Sequence, residues 1–280
     1  MTLTLRCGRH TLSLAHPLIM GIVNVTDDSF SGDGLAGDAA RAIVHGRRLI
    51  DEGAQIIDIG GESSRPGAAP VSAEQELARL LPVLAGLRDC GVPVSVDTSK
   101  PEVMRAVLAD GADMINDILA LQTPGALEAV AASRCAVCLM HMQGEPRTMQ
   151  QAPQYADVVV EVADFFRERV AAATHAGIAH ERIVLDPGFG FGKTIKHNLS
   201  LLRHLEALRV DGLPLLVGLS RKSMLGQITG QLAADRVHAS VAAALLAVQH
   251  GAAIVRVHDV AATRDALDVL NAVAEAAEHR

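Results

Sequence analysis

The chain has 280 residues, 49% of them hydrophobic, and a formal net charge of -7. That length is ordinary for one α/β barrel, so a single domain over residues 1–280 is the simplest reading. The acidic balance argues against a nucleic-acid or anionic-membrane partner, so any anionic ligand must be held by local cations.

The opening residues MTLTLRCGRHTLSL alternate apolar and polar, which predicts a β-hairpin within residues 1–16 that turns near Gly8. They lack the cationic start and unbroken apolar stretch of a signal peptide, and no later apolar run reaches membrane-spanning length. Short apolar runs then recur: LIMGIVNV from Leu18, IIDIGG from Ile56, VPVSVDT from Val92, DMINDI from Asp113, AVCLMH from Ala136, IVLDPG from Ile183, LPLLVGLS from Leu213 and AAIVRVHD from Ala252. They are nearly continuous rather than alternating, as parallel strands covered on both faces are. Eight such runs with amphipathic segments between them predict a (β/α)8 TIM barrel. Several helical segments close with a glycine: Gly53, Gly91, Gly111, Gly177 and Gly251.

CAVC, Cys135 to Cys138, invites a redox or zinc reading, but residues three apart on a strand face opposite sides and no second cysteine pair offers ligand spacing. The four cysteines are expected as free thiols.

Nearly every run ends in polar residues: Asn24, Glu62 to Arg65, Asp97, Asn116, His141, Asp186, Ser220 to Lys222, and Arg256 with His258. In a barrel these ends meet at one mouth, so residues scattered along the chain surround one pocket. The glycine-rich LDPGFGFGKT is not a phosphate loop, because the position five before Gly192 and Lys193 is Pro187. Its glycines turn the backbone away from a strand end, leaving Asp186 at the mouth and Phe189 or Phe191 over a ligand. GDGLAG, Gly32 to Gly37, does fit the dinucleotide pattern, with Asp58 as its acid, but TDDSFS separates it from the strand. A long first loop acting as a lid is the better reading.

Arg65, Lys222, Arg256 and His258 at strand ends are candidates to hold a phosphate. Asp97 and Asp186 fit three roles: an acid/base pair, a metal site, or a carboxylate facing a cyclic guanidine edge. Spacing alone does not choose among them.

MGIVNVTDDSFS, GGESSRPGA, SVDTSKPEV, MINDI, LMHMQGEPRTMQ, LDPGFGFGK, GLSRKSMLG and VRVHDV occur in that order between Leu18 and Val260. In them the chain closely resembles the dihydropteroate synthase family of pterin-binding barrels. The resemblance implies a cytoplasmic homodimer that joins 6-hydroxymethyl-7,8-dihydropterin diphosphate to p-aminobenzoate in folate synthesis. By resemblance, Asp97, Asn116, Asp186 and Lys222 hold the pterin, with Met140 and Phe191 packing on it. Asn24 contacts Mg²⁺; Ser63, Arg65, Arg256 and His258 anchor the diphosphate. Ser64, Pro66, Ser220 and Phe30 shape the p-aminobenzoate site, while Lys222, Arg256, His258, Phe30 and Asp33 serve the catalytic step.

The first loop departs from the family pattern. Asp27 stands where the family has proline, and the family's loop aspartate falls on Gly32, with Asp33 one residue later. Ser64 keeps the hydroxyl of the usual threonine. Beside a nicotinamide-dependent oxidoreductase, which NAD titration would discriminate, two pterin-binding rivals remain open: a pterin-binding methyltransferase and a non-catalytic pterin-binding homologue. Neither has a diphosphate to release, so the set Arg65, Arg256 and His258 favours the synthase.

Overall fold

The computed structural model describes residues 3–26, 38–63, 69–144, 148–149 and 152–278. Strands β1 (Thr4–Cys7) and β2 (His10–Ser13) pair antiparallel around Gly8 and Arg9. Eight further strands follow: β3 (Leu18–Asn24), β4 (Ile56–Gly60), β5 (Val94–Asp97), β6 (Met114–Asp117), β7 (Ala136–Met140), β8 (Ile183–Asp186), β9 (Leu215–Val217) and β10 (Ala252–Val257). They close a parallel barrel in chain order, with β10 pairing both β9 and β3. Each expected run contains one of these strands, and the hairpin lies where the alternation placed it.

Helices occupy the intervals: α1 (Ala39–Asp51), α2 (Ala73–Leu87), α3 (Pro101–Ala109), α4 (Ala126–Ala131), α5 (Val158–His175), α6 (Ile195–Arg203), α7 (Ser223–Thr229), α8 (Val237–Gln249) and α9 (Val260–Glu278). Their starts are written in the sequence. Asp38 caps α1 by accepting from Arg41 N, and Ser72 and Gln75 form a reciprocal capping box on α2. The five glycines expected past helix ends all have positive φ.

The apolar interior forms two shells. An outer shell packs the strands against the helices, through residues such as Ile57, Ile59, Val94, Val96, Leu80 and Leu84. An inner shell inside the barrel comprises Leu18, Met20, Ile56, Met114, Ala136, Cys138, Val184, Leu216 and Ile254, joined by Leu5 and Cys7 of the hairpin. The hairpin therefore plugs the mouth at the amino ends of the strands. Its turn is pinned by Asp113, only 3% exposed, whose carboxylate accepts from Arg9 N at 3.4 Å and Val94 N at 3.1 Å. Gly8 meets this carboxylate so closely (φ +58) that a Cβ there would sit 2.5 Å from Asp113 Oδ1.

Cys135 belongs to the outer shell and Cys138 to the inner one, so the CAVC thiols do lie on opposite sides of the wall. All four cysteines are free; Cys7, Cys135 and Cys138 are buried, and burial raises the pKa of each of these three thiols.

Candidate active site

The alternation that fills the barrel with apolar groups continues upward and changes chemistry. Two residues beyond the inner-shell Ile56, Met114, Cys138, Val184 and Ile254 stand Asp58, Asn116, Met140, Asp186 and Arg256. Asn24 is in register with Gly60, Gly60 with Asp97, and Asp97 with Asn116. The polar strand ends thus share one rim.

Arg256 is the hub of that rim. Its Nε donates to Asp58 Oδ2 at 2.6 Å and its Nη2 to Asp97 Oδ2 at 3.2 Å. Asn116 Nδ2 donates to the same Asp58 oxygen at 3.1 Å. Burial opposes the charge on Arg256, but Asp58 and Asp97 outweigh it and raise its pKa. Burial lifts Asp97 to about 7, against the pull of Arg256 and with the push of Asp58. Asp186 is also raised by burial, while the Gly188 N–H, donating to its Oδ1 at 2.7 Å, pulls it back. One oxygen of that carboxylate is thus held by the loop.

The loop after β8 answers the phosphate question physically. Lys193 is turned inward, 3% exposed, with Nζ donating to the carbonyls of Gly188 at 3.0 Å and Phe191 at 3.0 Å, and contacting His141 Nδ1 at 2.8 Å. Burial pulls it down to about 7, and burial with the neighbouring lysine takes His141 down to about 3, so His141 accepts through Nδ1 as a neutral ring. Gly188 allows the close approach: a Cβ there would lie 1.9 Å from the His141 carbonyl oxygen. Phe189 goes into the core at 1% exposure, whereas Phe191 lies under the Lys222 ammonium at 4.3 Å. Of the two phenylalanines the sequence offered, Phe191 therefore faces the site. Met140 packs beneath Gly188, 3.3 Å from where its Cβ would be.

Lys222 is aimed by its neighbour. Arg221 has φ +57, held by an ion pair with Asp259 at 2.6 Å and by its N–H on Ser240 Oγ at 2.9 Å. Ser220, expected at the arylamine, has its hydroxyl 2.9 Å from His258 Nδ1 and accepts from His258 N at 3.2 Å, so it orients that imidazole. A cavity of about 300 Å³ beside Lys222 is lined by Gly190, Lys193, Asn198, Ser223 and Met224, among others.

Asn24 and Ser63 are half-buried at the ends of β3 and just beyond β4. Phe30, Asp33, Ser64, Arg65 and Pro66, with the whole of GDGLAG, lie outside the described residues. Asp58, the acid that a dinucleotide reading would need, is fully buried in the barrel on Arg256.

Sequence reasoning left two devices unread, Asp58 apart. Lys193 stood inside a decoy motif. Lys100 forms an ion pair with Glu62 and another with the fully buried Glu76 at 2.6 Å, and Glu62 also accepts from Val71 N at 3.1 Å. This cluster ties together the two ends of the segment after β4.

A sequence profile described as pterin binding enzyme matches residues 20–258. The dihydropteroate synthase of Neisseria meningitidis serogroup B is 53% identical over 275 residues, covering 96% of each chain. The crystal structure of Burkholderia cenocepacia dihydropteroate synthase complexed with 7,8-dihydropteroate superposes with TM-score 0.92 at 50% identity, over 100% of this chain and 99% of that one. That of Xanthomonas albilineans dihydropteroate synthase with 4-aminobenzoic acid gives TM-score 0.90 at 52% identity, over 98% of both chains.

Proposed function

This chain belongs to the pterin binding enzyme family, and from that premise we infer that it condenses 6-hydroxymethyl-7,8-dihydropterin diphosphate with p-aminobenzoate to 7,8-dihydropteroate and diphosphate. The observation that carries the reading is the rim itself: Asp97 and Asn116 share one hydrogen-bonded cluster with Arg256, whose charge is felt at Asp186. Acids suited to a flat heterocycle and a cation suited to its departing anion stand on one rim.

Asp186 offers a carboxylate oxygen to the cyclic guanidine edge of the pterin, and Asp97 and Asn116 bind its other edge. Lys222, over Phe191, stands between pterin and arylamine. Arg256 and His258, with Arg65, hold the diphosphate and stabilise the negative charge that develops as the CH₂–O bond breaks. The dihydropterin ring delocalises the positive charge left on the CH₂. The neutral arylamine nitrogen then attacks that carbon and sheds one proton. No nucleophilic side chain is needed.

Among the described residues no group of three or more His, Cys, Asp or Glu is placed to hold a metal ion. Asn24 supplies one neutral oxygen, which fits Mg²⁺ taken up through one protein ligand, water and substrate phosphates. Bound there, Mg²⁺ would neutralise charge on the leaving group. The family likeness also carries a cytoplasmic homodimer, and light scattering tests the dimer.

Assaying the purified protein for dihydropteroate and diphosphate, with and without Mg²⁺, tests the reading. Both products should appear together and depend on Mg²⁺. A protein that binds pterin yet releases no diphosphate would overturn the synthase in favour of a methyltransferase or a non-catalytic homologue.

A further inference from the structure

We propose that Asp58 is a positioning residue that sets the pterin grip and the diphosphate grip from a single oxygen atom; the proposal rests on the synthase reading above. Asp58 is fully buried on β4, and its Oδ2 accepts from Arg256 Nε at 2.6 Å and from Asn116 Nδ2 at 3.1 Å.

Two consequences follow from donor and acceptor chemistry. Asp58 Oδ2 accepts from both donors, so it fixes the Asn116 amide with its NH₂ toward Asp58 and its carbonyl oxygen on the opposite side. Asn116 is thereby committed to accepting from a ring N–H. The guanidinium is also committed. Nε and Nη2 form one edge of its plane, and that edge is bound to Asp58 and Asp97, so an anion must be met by the Nη1 side. One oxygen thus orients a heterocycle acceptor and an anion donor together.

An apolar side chain is what a barrel interior ordinarily carries at such a position. The layer beneath is filled that way, by Ile56, Met114, Val184 and Ile254. A buried ion pair is also weak evidence for stability, since apolar replacement of both partners is often neutral. The simpler alternative is that Asp58 only balances the charge of Arg256. In that case Asn116 and the pterin should be indifferent to it.

The experiment compares wild type with Asp58→Asn and Asp58→Glu. Steady-state kinetics is combined with calorimetric binding of two separate probes: 6-hydroxymethylpterin, which has no diphosphate, and inorganic diphosphate with Mg²⁺. Asn keeps the shape but can donate toward Asn116, so both committed orientations are lost. The expected result is weaker binding of both probes, each by about tenfold, and kcat/KM for the pterin diphosphate lowered about 10²-fold. KM for p-aminobenzoate at saturating pterin should stay within about twofold, because neither positioned group holds the arylamine. Asp58→Glu, which restores the charge, should recover part of the diphosphate binding. Loss confined to inorganic diphosphate would reduce Asp58 to a counterion and overturn the proposal, as would an Asn variant with wild-type kinetics. A wild-type protein that makes no dihydropteroate fails the synthase reading instead. If Asp58→Asn does not fold, the ¹⁵N signal of Arg256 Nε–H in the wild type decides. It should be exchange-protected in the free protein and stay so when 6-hydroxymethylpterin and diphosphate bind; loss of protection on binding would overturn the proposal.

Discussion

The two mouths of the barrel are built from the same strands and solve opposite problems. At the amino-end mouth, Leu5 and Cys7 seal an apolar plug, and the buried acid Asp113 turns its oxygens to backbone N–H groups and to Arg9. At the carboxyl-end mouth, Asp58, Asp97 and Asp186 crowd around Arg256, burial raises Asp97 and Asp186, and Asp58 Oδ1 has no hydrogen-bond partner. The first arrangement is what stability favours. The second leaves charge poorly compensated until something binds, which is the usual cost of a ligand site. Damage at one end should therefore appear in folding, and at the other in chemistry.

The sharpest way to break that contrast is Asp186→Asn. The Gly188 bond can survive, but an NH₂ then faces the donors of the pterin. Loss of two charge-assisted hydrogen bonds predicts kcat/KM down by about 10²–10³-fold or more, with the melting temperature unchanged or higher. A comparable fall in stability would erase the distinction. Gly8→Ala is the mirror test. A left-handed φ and a clash with Asp113 predict a loss of about 2–4 kcal/mol in urea unfolding, with both KM values unchanged.

Lys193→Met sharpens the comparison, because this lysine is buried at the active end and its hydrogen bonds hold the loop after β8 and His141. With its cage of carbonyls unbound, Phe191 and Gly188 lose their fixed place. KM for the pterin diphosphate should rise about tenfold while bound substrate still turns over.

The smallest effect is on pH. Asp97 holds its proton more tightly folded, at about 7 against an ordinary 3.8, so it contributes stability at low pH that is lost as pH rises through about 7. Thermal melts of the ligand-free protein between pH 4.5 and 7 should show this fall, and Asp97→Asn should lessen it. A slope unchanged by that substitution would mean that Asp97 ionises normally.

The barrel was legible because apolar runs and amphipathic intervals alternate eight times, and each run ends in polar residues that only a closed sheet can gather. Less was legible where identity and environment disagree. Asp58 sits in the apolar run IIDIGG, where periodicity marks a strand but not which face is inward. Lys193 lies in a motif that the sequence could reject as a phosphate loop, but nothing in its spacing shows that the side chain folds back onto the carbonyls of Gly188 and Phe191. The hairpin was foreseen from alternation, yet its role as a plug depends on contacts with residues a hundred positions away, such as Asp113. The segments holding Phe30, Asp33 and Arg65 carry family motifs whose geometry lies outside the described residues.

The cysteines give the molecule a built-in clock. Cys7 sits in the plug, Cys138 inside the staves and Cys135 behind them, each shielded from solvent. A thiol reagent in excess cannot modify them until the surrounding structure opens. The order in which they are alkylated would show whether the barrel first loses its stopper or first parts along a seam.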